Sequence, residues 1–397
     1  MDKLRELSYN KVESVSSGFR RFLFEEIDLN DQLIAIRGAR GSGKTTLLLQ
    51  LMKQTNDLEQ CLYLSLDNIM LQDKPLLEVV DYYYKLGVRY LFLDEVHKYE
   101  GWSTIIKNLY DHYGDLKIVF TASSLLELYQ GQADLSRRLS GYDLPGMSFR
   151  EFLQFDQNLL VRPVTLTDLL RDHVPISREY KKVLGSPLAH FKRYLQLGYY
   201  PYFKENEEKY SQRLIDTINQ ILETDLMAVG SFNYTTVRKL KALLSVISQS
   251  VPFKPNISSL SKKIEVKRET VLHYMDLLER AAVLILLQSA TGGISRLNKP
   301  DKVYLENTNI LYALSEGIPE KGNIRETFFL NQISKGHKVK APVTGDFIVD
   351  DIVTFEVGGK SKTKKQIEKT EKAFVVADDI ETGSGNKIPL WLFGFFY

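Results

Sequence analysis

Eight residues, Gly38-Ala39-Arg40-Gly41-Ser42-Gly43-Lys44-Thr45, constrain what this chain can fold into more than any other feature. They fit G-x-x-x-x-G-K-[ST], a loop whose backbone N–H groups wrap phosphates, with a lysine for the β/γ oxygens and a hydroxyl for Mg2+. Glycines are needed because the backbone must approach the phosphates closely and pass through positive φ. The flanks agree. Gln32-Leu33-Ile34-Ala35-Ile36-Arg37 reads as a short buried strand, and the residues from Thr45 and Thr46 to Met52 read as a helix. Strand, loop and helix in that order predict phosphates at a helix N-terminus, where unpaired donors and the dipole favour anions.

A second segment completes the expectation of an Mg2+-ATP site. Arg89-Tyr90-Leu91-Phe92-Leu93 reads as a buried strand that ends in Asp94-Glu95. Beside a phosphate loop, the first acid holds the Mg2+ shell together with Thr45. The second, Glu95, orients and deprotonates the attacking water. An apolar run ending in Asp-Glu is, alone, commonly a strand leading into a solvated loop; the pairing gives it meaning.

Bulk properties narrow the class. The 397 residues allow roughly two to four domains. With 44% hydrophobic and 26% charged residues, disorder is not the default. A net charge of +2 argues against a uniformly basic nucleic-acid binder, while leaving room for a local patch. The single cysteine, Cys61, lies in an apolar run and reads as a core residue. No apolar leader opens the sequence, and no stretch approaches the roughly 18 apolar residues of a membrane span. These features predict a cytoplasmic protein without membrane contact.

Strand and helix patterns alternate through the first 155 residues, with strands expected at 33–37, 61–66, 90–93, 117–121 and 141–144. Alternation of this kind predicts an α/β fold with a parallel sheet covered on both faces. Ligands bind at the carboxyl ends of such strands, where Asp67, Asp94 and the turn at 121–124 fall. A helical region is expected over 156–233, containing an aromatic turn, Gly198-Tyr199-Tyr200-Pro201-Tyr202-Phe203, that reads as packed. Over 234–315, helices at 236–249, 257–264 and 267–278 resemble a helix-turn-helix, with 283–287, Gly292-Gly293 and 302–305 supplying a β-wing. A small α+β domain over 316–397 is expected to carry strands at 347–349, 354–357 and 373–377.

The glycine loop, Asp94-Glu95-Val96-His97-Lys98, Trp102, Phe120-Thr121-Ala122-Ser123-Ser124 and the segment from Leu135 to Leu153 together resemble a bacterial and archaeal AAA+-type ATPase family. Its members join an ATPase core to helical and winged-helix parts and a C-terminal domain of uncharacterised role. The resemblance implies that Ser123 or Ser124 watches the γ-phosphate and the attacking water. It also implies that Arg137 or Arg138 stabilises the γ-phosphate, within one chain or across the boundary of a homo-oligomer; the pair reads equally well as solvated surface charge. In related proteins the last domain looks like a restriction endonuclease, whose metal site needs an Asp and then Glu-x-Lys. Here Asp346 or Asp350 would be the first acid and Glu356 the second. Lys360 follows two positions late, after two glycines, which points to a degenerate nuclease-like scaffold.

These readings converge on an ATP-hydrolysing molecular switch. Two rivals stand beside it: a DNA-binding protein or nuclease with a regulatory ATPase, and a small-molecule kinase. The winged-helix and C-terminal domains would supply any DNA or protein partner. Lys262, Lys263, Lys267 and Arg268 give the expected recognition region a basic flavour, tempered by Glu265 and Glu269.

Overall fold

The computed structural model describes residues 2–55, 57–71, 74–123, 135, 137–229, 233–249, 252–290, 299–368 and 370–397. The chain forms two compact units, 1–146 and 147–397.

The first unit is built on five parallel strands: β1 (Leu33–Gly38), β2 (Cys61–Ser65), β3 (Tyr90–Asp94), β4 (Lys117–Ser123) and β5 (Ser140–Asp143). Their order across the sheet is β2-β3-β4-β1-β5. Strand residues alternate between faces, and both faces are buried. Leu33, Ala35, Leu62, Leu64, Leu91, Leu93, Ile118 and Phe120 pack with the helices Leu76–Lys85 and Trp102–His112. Ile34, Ile36, Cys61, Tyr63, Phe92 and Val119 pack with the helix Lys44–Gln54, which follows the glycine loop. Cys61 is a core residue, its thiol pushed up to about 11 by burial.

β2 is an edge strand, and an N-terminal helix, Asp2–Glu13, lies against it. One stripe of that helix, Leu4, Ser8 and Val12, is buried, at the i, i+4, i+8 spacing of a single face. The polar member has a partner: Ser8 Oγ accepts the Tyr63 backbone N–H at 2.9 Å. Arg5 Nη2 donates to the Glu59 carbonyl at 2.8 Å. The helix thus takes up polar groups of an edge that would otherwise offer them to another strand.

The second unit opens with helices Phe149–Gln157, Leu166–Leu184, Pro187–Leu197 and Tyr210–Gln220. Helices Tyr234–Ser248, Ile257–Lys263 and Arg268–Arg280 follow, then an antiparallel pair, β6 (Leu284–Leu287) and β7 (Lys302–Leu305). After helices Thr308–Leu314 and Lys321–Ile333 comes a mixed sheet of β8 (Val339–Lys340), β9 (Phe347–Val349), β10 (Val353–Gly358), β11 (Ala373–Ala377) and β12 (Lys387–Pro389). Its order is β12-β11-β10-β9-β8, antiparallel from β8 to β10 and parallel from β10 to β12.

The helix Phe149–Gln157 belongs to this unit, not to the α/β core that the sequence pattern carried to 155. Its Phe149 ring packs edge-on against Phe191 and Phe395, and Ser148 opens it with a capping box to Glu151. The aromatic turn is packed as expected, with Tyr199, Tyr200 and Phe203 all buried. Gly292 and Gly293 of the expected wing lie outside the described residues.

Candidate functional site

The glycine loop leaves β1 at its carboxyl end and enters the helix Lys44–Gln54 through Gly41 (φ 81°) and Gly43 (φ 96°), left-handed values that cost a side-chain-bearing residue roughly 1 kcal/mol or more. Gly38 is required for a different reason. A β-carbon built on it would sit 2.3 Å from the Leu144 carbonyl oxygen, because β5 runs alongside β1. Arg21, buried, ties the loop from beneath: its guanidinium donates to the carbonyls of Ser42 (2.5 Å), Pro145 (2.7 Å) and Gly146 (3.0 Å). Lys44 Nζ donates to the Gly38 and Ala39 carbonyls at 2.9 and 3.0 Å, so its ammonium is folded back over the loop.

The two expected halves meet. Thr45 Oγ1 donates to Asp94 Oδ2 at 2.8 Å. Asp94, at the end of β3 and 3% exposed, also accepts from Tyr63 OH on the same oxygen at 3.0 Å and from Thr121 Oγ1 on the other. Thr121 holds both acids, because its hydroxyl oxygen accepts the Glu95 N–H at 3.0 Å. Glu95 sits at φ 52°, a left-handed turn that takes its side chain off the line of β3. Burial foremost, and then the neighbouring Asp94, raises the Glu95 carboxyl above the usual carboxylate range, with Arg40 and Lys44 opposing. A cleft of about 510 Å3 opens over this group, lined by Arg40, Thr45, Tyr63, Asp67, Asp94 and Glu95, with residues of the N-terminal helix along one side.

The residues present fit Mg2+-ATP. Ser42 Oγ is buried in the loop with no hydrogen-bond partner. A polar atom in that state is costly unless a ligand or water meets it. Lys44 supplies charge at the loop, and Thr45 with Asp94 form the oxygen donor set that a small hard cation takes.

Other expected residues fall as follows. Ser123 is the last residue of β4, in register with Gly38, and so lies at the same edge as the loop. Ser124 lies outside the described residues. The arginine pair is displaced. β5 begins at Ser140, in register with Ile34, four residues short of Gly38 and hence about 13 Å back along the strands. Arg138 lies beyond that, 3.4 Å from Asp111 and over the Tyr110 ring at 5.6 Å, at the end of the helix Trp102–His112; Arg137 is exposed. This places Arg138 toward the amino ends of the strands, at the end away from the loop.

Sequence reading missed Arg21 and Tyr63, and placed Thr121 in the turn at the strand ends without its partners. A signal existed for Tyr63. Strand alternation puts residues 61 and 63 on the face of the loop's helix, so its hydroxyl had to end near the loop. Arg21 carried no signal, since its partners are carbonyls far along the chain.

In the second unit, Asp350 faces away from the expected metal group: its carboxylate meets His337 Nδ1 at 2.7 Å and accepts the Lys338 N–H at 2.9 Å. Asp346 Oδ2 accepts the Val357 N–H at 2.8 Å. Glu356, fully buried, pairs not with Lys360 but with Lys362, Nζ to Oε1 2.5 Å. Lys362 lies across Gly358, where a β-carbon would be 2.8 Å from Lys362 Cγ and Cδ. Gly358 occupies the lysine position of Glu-x-Lys, and the absent side chain makes room for an amine brought in from the loop.

Residues 30–153 match an AAA domain (AAA_14), and residues 188–321 match a domain of unknown function (DUF8612). The chain is 27% identical over 285 residues to an uncharacterised protein, MJ1637, of Methanocaldococcus jannaschii, covering 68% of this chain and 60% of that protein's length. Among solved structures it is similar to a DNA replication initiation factor (TM-score 0.29, 16% identity, 70% of this chain, 88% of that one). AMPPCP-bound DnaA from Aquifex aeolicus gives TM-score 0.28 and 16% identity over the same shares.

Proposed function

We propose that the first unit binds and hydrolyses Mg2+-ATP as an AAA+-type molecular switch. The observation that carries this is the Thr45–Asp94 hydrogen bond at 2.8 Å, which joins the phosphate loop to the acid of β3 with Glu95 beside it. Lys44 turns from its two loop carbonyls to the β/γ oxygens, while the N–H groups of residues 39 to 46, from Ala39 through Arg40 to Thr46, line the phosphates. Mg2+, held by Thr45 and Asp94, would neutralise charge on the transferred phosphoryl group. Glu95 takes the proton of the attacking water; a raised carboxyl pKa makes it a better base once ionised. Ser123, level with Gly38, senses the γ-phosphate. Arg137 and Arg138 serve a neighbouring copy in a homo-oligomer, the role their place toward the amino ends of the strands leaves open.

Within the second unit, we divide the chain into a helical region to 233, a winged-helix-like part over 234–315 and a degenerate nuclease-like part from 316. The second reading, a DNA-binding protein with a regulatory ATPase, is favoured by one observation: Lys262, Lys263, Lys267 and Arg268 are all exposed around the turn between two short helices. Glu265 and Glu269 are exposed among them, which fits a protein partner as well. Phosphate release by the purified protein, with no acceptor and then with DNA, RNA or peptide added, tests the proposal. Absence of release in every condition refutes hydrolysis, and ADP formed without free phosphate once a small-molecule acceptor is added restores the kinase.

A further inference from the structure

The N-terminal helix reaches the metal acid through two hydrogen bonds. Ser8, in the middle of the helix's buried stripe, accepts the N–H of Tyr63 at 2.9 Å. Tyr63 OH donates at 3.0 Å to Asp94 Oδ2, the oxygen that also receives Thr45 Oγ1 at 2.8 Å. Ser8, Tyr63 and Asp94 are 2%, 7% and 3% exposed, so water does not substitute readily for any link. β2 is an edge strand with a sheet neighbour on one side only, and on the other the helix is what contacts it. The position of Tyr63 along the edge is therefore set by Ser8 as well as by β3. A buried carboxylate with two oxygens to aim depends on donors for orientation, and bonds to a charged group are the strong ones.

We infer that Tyr63 is a positioning residue for Asp94 and that the helix Asp2–Glu13, through Ser8, controls how well the Mg2+ site is formed. The inference rests on the Mg2+-ATP reading above. Displacement of the helix by a partner would slacken Tyr63 and weaken the metal acid, while leaving the phosphate loop whole; the N terminus is then a regulatory element of the site.

The test is an equilibrium one, without turnover: binding of a fluorescent ATP analogue to the full chain, titrated with Mg2+. Tyr63→Phe keeps the ring and removes the hydroxyl. It should raise the Mg2+ concentration for half-maximal effect roughly tenfold, the lower end for loss of a hydrogen bond to a charge, with a smaller change in Mg2+-free nucleotide binding and a modest fall in melting temperature. Ser8→Ala should shift the Mg2+ response in the same direction by about threefold, Ser8→Thr should restore it, and Ser8→Ala should add nothing in the Tyr63→Phe background. That non-additivity marks one pathway; a merely structural role would lower the melting temperature and leave the Mg2+ midpoint unmoved. A parent-like Mg2+ midpoint in Tyr63→Phe overturns the inference while the Mg2+-ATP reading stands. Full additivity of the two substitutions removes the helix from it. A parent protein that binds no Mg2+-ATP overturns both readings.

Discussion

Gly38→Ala adds a single methyl group at the place where the first unit is most tightly closed. The new β-carbon would lie 2.3 Å from the Leu144 carbonyl oxygen and 3.1 Å from Ser42 Oγ. Ordinary contact requires about 1 Å more from the carbonyl. The carbonyl is not free to give way, because Leu144 N donates to the Arg37 carbonyl at 2.7 Å and β5 is paired along β1. Overpacking costs about 1–3 kcal/mol, and a backbone clash belongs at the upper end. At roughly 2–4 °C per kcal/mol for a domain of about this size, the melting temperature should fall by about 10 °C. The strain also bears on Ser42, so nucleotide affinity should drop at least about tenfold, or 1.4 kcal/mol. The melt is followed by Trp102 fluorescence in a Trp391→Phe background, which isolates the first unit, and affinity by calorimetry. A midpoint within about 2 °C of the parent, together with unchanged affinity, would show that the segment at Leu144 yields freely and that the close approach does not constrain the loop.

Glu95→Gln should bind ATP yet turn over at least about 100-fold more slowly, read by phosphate release. Since burial raises the Glu95 pKa and the base must be ionised, parent kcat should fall as pH drops through that raised pKa, at a higher pH than an ordinary carboxylate would give; an acid limb in the usual carboxylate range would refute the assignment. The ionised group is a cost to the folded state above its unfolded pKa, so Glu95→Gln should melt no lower than the parent at pH 7. Arg137→Ala and Arg138→Ala, assayed over a protein concentration series, should lower kcat more than affinity, with parent activity rising more steeply than linearly; parent-like kcat in both returns the pair to the surface. Lys362→Ala strands the buried Glu356 carboxylate and should cost about 2 kcal/mol, less than for a fully enclosed pair because Lys362 is about one-third exposed; Lys360→Ala, exposed, should cost almost nothing, and equal melts would refute the pairing.

The strands of the first unit were legible because each is a short apolar run bounded by turn residues, and β1 to β5 appear within a few residues of their expected limits. Thr45 and Asp94 were legible because motif spacing encodes a contact between distant segments. The partners of Thr121 and Tyr63 were not, although alternation set the face of Tyr63 and Thr121 lay in the expected turn, since a hydroxyl in an apolar strand looks the same whether it meets a carboxylate or a carbonyl. The placement of the arginines was not legible, because order along the sequence does not say at which end of a parallel sheet a residue lies; the β1–β5 register does. Lys362 escaped because an amine arriving from a loop obeys no strand period. The capping of β2 by the N-terminal helix depends on tertiary placement of a stripe that, as a pattern, suits any surface.

The sheet order separates β1 from β3 by one intervening strand, β4. Two inter-strand steps are about 10 Å, and the loop with its helix must cross the end of β4 for Thr45 to touch Asp94. β4 therefore acts as a ruler: its width sets the gap between the two halves, and its last residues, Thr121, Ala122 and Ser123, lie along that gap. Change there alters the distance between the two halves without altering either half. On the Mg2+-ATP reading proposed above, discrimination between a triphosphate and a diphosphate, a matter of a few ångströms, would be gauged by a strand that contributes no member of either motif.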